Sequence, residues 1–161
     1  MPTTKKLHLK ILFSILLLSA FFSCDSKKTE SSASHKNQYE ITYISVSDIG
    51  GSLGNYRIIK VTKDSVFAEK GMTANQTHKK WASAITSSTW KQLISPVRIV
   101  DLDYIKSSPS QQSVDGIDET FQIWTPKKSH IYVNAYVDTL HYKQLQQLKE
   151  QLDKILPKEY K

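Results

Sequence analysis

His141 to Leu156 is the stretch that most constrains how this chain can fold. It sets Tyr142, Leu145, Leu148, Leu152, Ile155 and Leu156 along one stripe, with Lys143, Gln144, Gln147, Lys149, Glu150 and Lys154 on the other side. A helix this short is marginal by itself in water, so its stripe must be buried against a partner. Each aliphatic side chain that goes under contributes about 1.5–3 kcal/mol. Asp138 or Thr139 is the expected N-cap, and Pro157 the stop.

The partner has to come from upstream, where the pattern is mainly that of strands. Tyr39, Ile41, Tyr43, Ile44 and Val46 suggest a first strand whose alternation slips at Ile44, through a bulge or through burial on both sides. The glycine-rich run Asp48 to Asn55 breaks it. Tyr56–Val61 and Ser65–Glu69 read as a hairpin closed by Thr62-Lys63-Asp64. Trp81–Ile85 is a further strand candidate, and Ser87 or Ser88 is expected to cap a short helix carrying Trp90, Leu93 and Ile94, with Pro96 helping to end it. Glu119–Trp124 and His130–Val137 form the clearest strand pair. Matching odd-numbered with odd-numbered positions puts Phe121, Ile123, Ile131, Val133, Ala135 and Val137 on one aliphatic face for the last helix to cover. The expected class is α+β: a single domain with a mostly antiparallel sheet, a short helix, and a long C-terminal amphipathic helix packed on one face.

The beginning of the chain is of a different kind. Lys5, Lys6 and Lys10 precede the run Ile11–Phe22, whose 12 residues are interrupted only by Ser14 and Ser19. That length suits the apolar core of a secretory signal and falls short of the ~20 residues of a membrane-spanning helix. The run closes on Ala20-Phe21-Phe22-Ser23-Cys24, a small residue directly before the only cysteine of the chain, and Asp25-Ser26-Lys27-Lys28 follows. This resembles the signal peptide of a bacterial lipoprotein, although Phe21 stands where the usual pattern has Leu. The resemblance implies that residues 1–23 are removed and that Cys24 is acylated, so that the chain's first partner is a lipid bilayer. Two or three acyl chains hold a protein stably on a bilayer, whereas one does so only marginally. The alternative is an ordinary secretory signal followed by a chance cysteine. Residues 24–37, rich in Ser and Lys, make a flexible tether. The α+β domain then occupies 38–161.

Composition narrows the functional classes. A single cysteine excludes an internal disulfide or a cysteine-based zinc cage. The formal charge of +7 shrinks once Lys5, Lys6 and Lys10 are removed: 19 basic against 15 acidic residues remain, or +4. With Lys79-Lys80 and Lys127-Lys128 dispersed and no basic stripe joined to stacking aromatics, no nucleic-acid partner is expected.

Within the domain, Gly54-Asn55-Tyr56-Arg57-Ile58, the Asp64 turn, Trp90 to Leu93, Ser113 to Asp118 with Asp115-Gly116, Phe121 to Ile123 and the closing Leu145–Ile155 helix resemble the small uncharacterised lipoproteins of Bacteroidota. That resemblance implies an envelope lipoprotein and carries over no catalytic residue. Asp25 is the only acid close behind Cys24, and Lys27-Lys28 dilutes it, which favours the periplasmic side of the outer membrane over the cell surface. Asp64-Ser65-Val66 and Asp138-Thr139-Leu140 resemble the three-residue O-glycosylation signal of that phylum. Ser65 and Thr139 are thus candidate modification sites, although turn and cap chemistry explains both.

Signals for catalysis are weak. Gly50-Gly51-Ser52-Leu53-Gly54 lacks the Lys-Ser/Thr ending of a phosphate loop and leads into a strand. Asp101, Asp103, Asp115 and Asp118 match no calcium loop, and Asp115-Gly116 is a turn dipeptide. His35, His78, His130 and His141 have no zinc spacing, and no serine sits in Gly-x-Ser-x-Gly. Neither a metal nor any other cofactor is expected, and no catalytic residue.

The candidate binding surface is the even-numbered face of the clearest strand pair, where Trp124, Tyr132 and Tyr136 stand beside Gln122, His130 and Asn134. Cover of that face by the Trp90 helix is the competing expectation. The favoured function is a non-enzymatic, lipid-anchored interaction or ligand-binding module with an envelope protein or glycan as partner. The alternatives are an inhibitor or immunity-type protein against a secreted enzyme or toxin, and a small envelope hydrolase.

Overall fold

The computed structural model describes residues 40–161. The leader, Cys24, the tether, His35 and the expected strand start at Tyr39 lie outside the described residues.

Six strands form one antiparallel sheet: β1 (Tyr43–Gly50), β2 (Asn55–Val61), β3 (Ser65–Met72), β4 (Thr77–Ala84), β5 (Ile117–Trp124) and β6 (Ser129–Val133). Their order is β4-β3-β2-β1-β5-β6. The first four make a meander, and β5 returns beside β1 after α1 (Ser87–Ile94) and a long connection. The closing helix is α2 (Lys143–Ile155). The expected α+β architecture is therefore what forms, a single domain with the C-terminal helix against one sheet face.

That face is the core. Ile44 and Val46 of β1, Ile59 and Val61 of β2, Val66 and Ala68 of β3, and Phe121 and Ile123 of β5 are buried with Leu145, Leu148 and Leu152 of α2 and Trp90 and Leu93 of α1. Trp90 thus serves the helix-covered face. Both β1 ladders are continuous, so the slip at Ile44 reflects burial on both sides, with Ser45 facing the other way and still covered. The opposite face carries Tyr43, Ile58, Lys60, Phe67, Gln122 and Trp124, and the rings of Tyr43 and Trp124 lie 4.6 Å apart.

The structure corrects the sequence reading in several places. Asp48, Ile49 and Gly50 still belong to β1, because the chain turns only after Gly50, at φ +143°. β4 starts at Thr77 and so includes Lys79 and Lys80. Thr86, one residue before the expected caps, accepts the Thr89 amide at the start of α1. Asp138 accepts the amides of Leu140 and His141 and so shapes the turn before α2, which begins at Lys143 with no side-chain cap. The weakly patterned stretch after Val97 is a 3-10 segment, Ile99–Tyr104, that buries Leu102.

The register of the last strand pair is the largest correction. Phe121 pairs with Tyr132 and Ile123 with His130, odd with even. The hairpin from Trp124 to Ser129 is closed by four residues, with the Thr125 amide donating to the Lys128 carbonyl, and turn length sets register. β6 then stops at Val133: Asn134 takes a left-handed conformation at φ 49°, and Ala135–Val137 form a 3-10 turn where strand was expected. Ile131 consequently points outward, 58% exposed, while Tyr132 is buried at 4%.

Candidate ligand-binding cleft

The register divides the expected even-numbered binding surface. His130 and Tyr132 face the core side, where the Tyr132 hydroxyl donates to the Leu102 carbonyl at 2.5 Å. Burial and the nearby Lys128 lower the His130 pKa against the opposing pull of Asp103. Asn134 is fully buried: its Oδ1 accepts the Glu119 amide, and its Nδ2 donates to the Pro109 carbonyl and to Asp118. Trp124 (43% exposed) and Gln122 lie on the opposite sheet face, and Tyr136 (41%) sits on the 3-10 turn with its hydroxyl accepting from Gln111 Nε2. These six side chains therefore share no single surface.

The four aspartates go separate ways as well. Asp118 accepts the Ser110 hydroxyl, the Gln111 amide and Asn134 Nδ2, which hold its pKa low and tie the 107–116 loop to β5. Asp103 pairs with Lys128, Asp101 with Arg98, and Asp115 occupies a left-handed turn position. Ser65 and Thr139 are both exposed.

A different constellation emerges from the ladder. Lys79 of β4, Lys70 of β3, Arg57 of β2, Asp48 of β1 and Glu119 of β5 are successive cross-strand partners, so one polar row crosses five strands on the helix-side face. One end of the row is neutralised. Arg57 donates to Asp48 at 2.9 Å, to Asp153 of α2 at 3.2 Å and to the Tyr160 carbonyl at 2.7 Å. Glu119, buried, accepts from Lys149 and from the Tyr142 hydroxyl. Burial first, and the Glu119 carboxylate second, push the Tyr142 pKa up.

The other end is not neutralised. Lys70 and Lys79 stand directly opposite each other, and among the described residues neither has a carboxylate within ion-pair distance. Lys70 Nζ lies 5.8 Å from the Tyr160 ring. Like charges facing each other across a ladder cost a few tenths of a kcal/mol to about 1 kcal/mol.

Here a cleft of about 440 Å³ opens, lined by Asp48, Arg57, Lys70, Lys79, Asn55 and Thr77 among others. Gly71 makes room on the opposite face of the same strands. Tyr56 crosses over that glycine to a 2.5 Å hydrogen bond with His78 Nδ1, and a Cβ at 71 would stand 2.4 Å from the Tyr56 oxygen and 2.2 Å from the Thr77 carbonyl. Sequence reasoning missed this cleft because Arg57, Lys70 and Lys79 are far apart in the chain. The alternation of Arg57, Ile59 and Val61 was the available signal, since it puts an arginine on the core face.

Fold and cleft together define a class in structural terms only: an α+β domain with a six-stranded antiparallel sheet and a basic cleft at its hairpin end. The sequence matches no protein-family model, and no curated protein matches it.

Proposed function

We propose that this chain is a lipid-anchored envelope lipoprotein, held on the periplasmic side of the outer membrane by acylated Cys24, whose domain is a non-enzymatic binding module. The ligand it takes carries negative charge, either as a compact anion or as an anionic group on a larger envelope partner. The observation that supports this reading is the Lys79–Lys70–Arg57 row. Three cations occupy consecutive cross-strand positions at the mouth of a cleft, and among the described residues two of them, Lys70 and Lys79, have no carboxylate within ion-pair distance. An anion seated there relieves the mutual repulsion and gains charge-assisted hydrogen bonds, while Asn55 and Thr77, on the same sheet face, offer polar groups for orientation.

Calorimetric titration of the full-length protein in detergent, at low salt, with citrate and with inorganic phosphate tests the reading. Saturable binding that weakens with added salt and is lost in the Lys70→Ala/Lys79→Ala double variant supports it. Binding unchanged in that variant, or absent with both anions, refutes it.

A further inference from the structure

The two edges of the sheet are treated differently. β6, five residues long, is covered on its outer side at Val133, its last residue: the Ser108 amide donates to the Val133 carbonyl, and the Val133 amide donates to Ser107 Oγ. β4 has no such cover among the described residues. It is eight residues long, without Pro, and exposed on both faces except at Trp81.

Its hydrogen-bonding direction follows from the ladder. The Ile85 amide donates inward to the Asp64 carbonyl. Alternation then turns the backbone of Ser83, Trp81, Lys79 and Thr77 toward β3, and that of Ala84, Ala82, Lys80 and His78 outward. The amides of His78, Lys80 and Ala82 have no backbone partner among the described residues. Such an edge is a template for one more strand.

Charge selects the strand. At mid-edge Lys79 points to the helix side and Lys80 to the opposite side, so an incoming segment meets a cation on both faces at adjacent positions. Farther along, Trp81 and Ala82 offer apolar surface, again one on each face. A second copy of this chain is disfavoured in the two-fold register centred on Lys80, which would set that lysine against its own copy.

We propose that β4 is a docking edge that takes an extended acidic peptide segment of a partner protein as a seventh, antiparallel strand, with two adjacent carboxylates beside Lys79 and Lys80 and apolar side chains beside Trp81 and Ala82. This deepens the cleft reading and rests on it in part, since Lys79 belongs to both. The edge hydrogen bonds are separate from the cleft.

The test uses the full-length protein and the peptide acetyl-Ser-Val-Val-Glu-Glu-Thr-amide, together with the same peptide N-methylated at its second and fourth residues, the positions that would face Ala82 and Lys80. The expected result is saturable binding of the first peptide, at least about tenfold weaker binding of the second because its edge hydrogen bonds are lost, and slowed amide exchange at His78, Lys80 and Ala82. Ala82→Pro, which removes an outward amide without touching the inner ladder, should abolish peptide binding and leave citrate binding intact. Equal binding of the two peptides, no binding of either, or a peptide-free dimer through β4 seen by light scattering would each overturn the proposal. Loss of citrate binding alone, with discrimination between the peptides retained, would overturn the cleft reading and leave the docking edge standing.

Discussion

Replacing Tyr132 and its neighbour Ile131 one at a time tests the register of the last hairpin. Tyr132 is buried opposite Phe121, with its hydroxyl on the carbonyl of the fully buried Leu102. Tyr132→Phe keeps the ring and orphans that carbonyl, at about 1–3 kcal/mol. Tyr132→Ala adds a cavity, and removal of a buried aromatic costs about 3–5 kcal/mol. Ile131 keeps more than half of its surface in water, so Ile131→Ala should cost about 1 kcal/mol or less. For a domain of roughly 120 residues, 1 kcal/mol moves the midpoint by about 4 °C. Thermal unfolding followed by circular dichroism should therefore show a fall of about 12–20 °C for Tyr132→Ala, about 4–12 °C for Tyr132→Phe and less than about 4 °C for Ile131→Ala. If Ile131→Ala proved the most damaging of the three, the odd-with-odd pairing would be correct and the packing of Leu102 under Tyr132 would be wrong.

Three further outcomes are expected. Asp138 accepts the backbone amides of His141, Lys106 and Leu140, which depress its pKa from 3.8 to about 2. Because the folded value is the lower one, its contribution is complete above about pH 4 and disappears as pH falls toward 2, so Asp138→Asn should flatten that part of a urea-stability profile. Arg57 ties β2 to β1, α2 and the C-terminus through three acceptors in a planar fork. Arg57→Lys cannot reproduce that fork and should lose about 1–3 kcal/mol in chemical denaturation; a neutral result would show the fork to be dispensable. Cys24→Ser should abolish incorporation of an alkyne fatty acid, and continued labelling would place the lipid elsewhere.

Legibility differed from element to element. The Thr62–Asp64 turn, β2, β3, the short helix and the stripe of α2 are all present in the structure, because each is set by local periodicity or by turn chemistry. β4 was only half visible. Its Lys79-Lys80 pair carries no local strand signal, since an edge strand exposed on both faces shows no alternation. The sequence of β5 and β6 shows two strands without their register, because Tyr132, as amphipathic as Trp124, finds a carbonyl partner only once Leu102 has folded over it.

By itself the sequence determined the α+β class, the covered face of most strands and the helix that covers them, because apolar spacing dictates which side of an element leaves water. Tertiary structure alone decided the six-strand order, the pairing of Phe121 with Tyr132, and the charged row from Lys79 to Glu119. Strand pairing is a long-range choice made by turn length and by the satisfaction of buried polar groups, and no local period encodes either. The same pairing places two lysines face to face at the mouth of a cleft, at positions whose sequence context shows only ordinary surface charge.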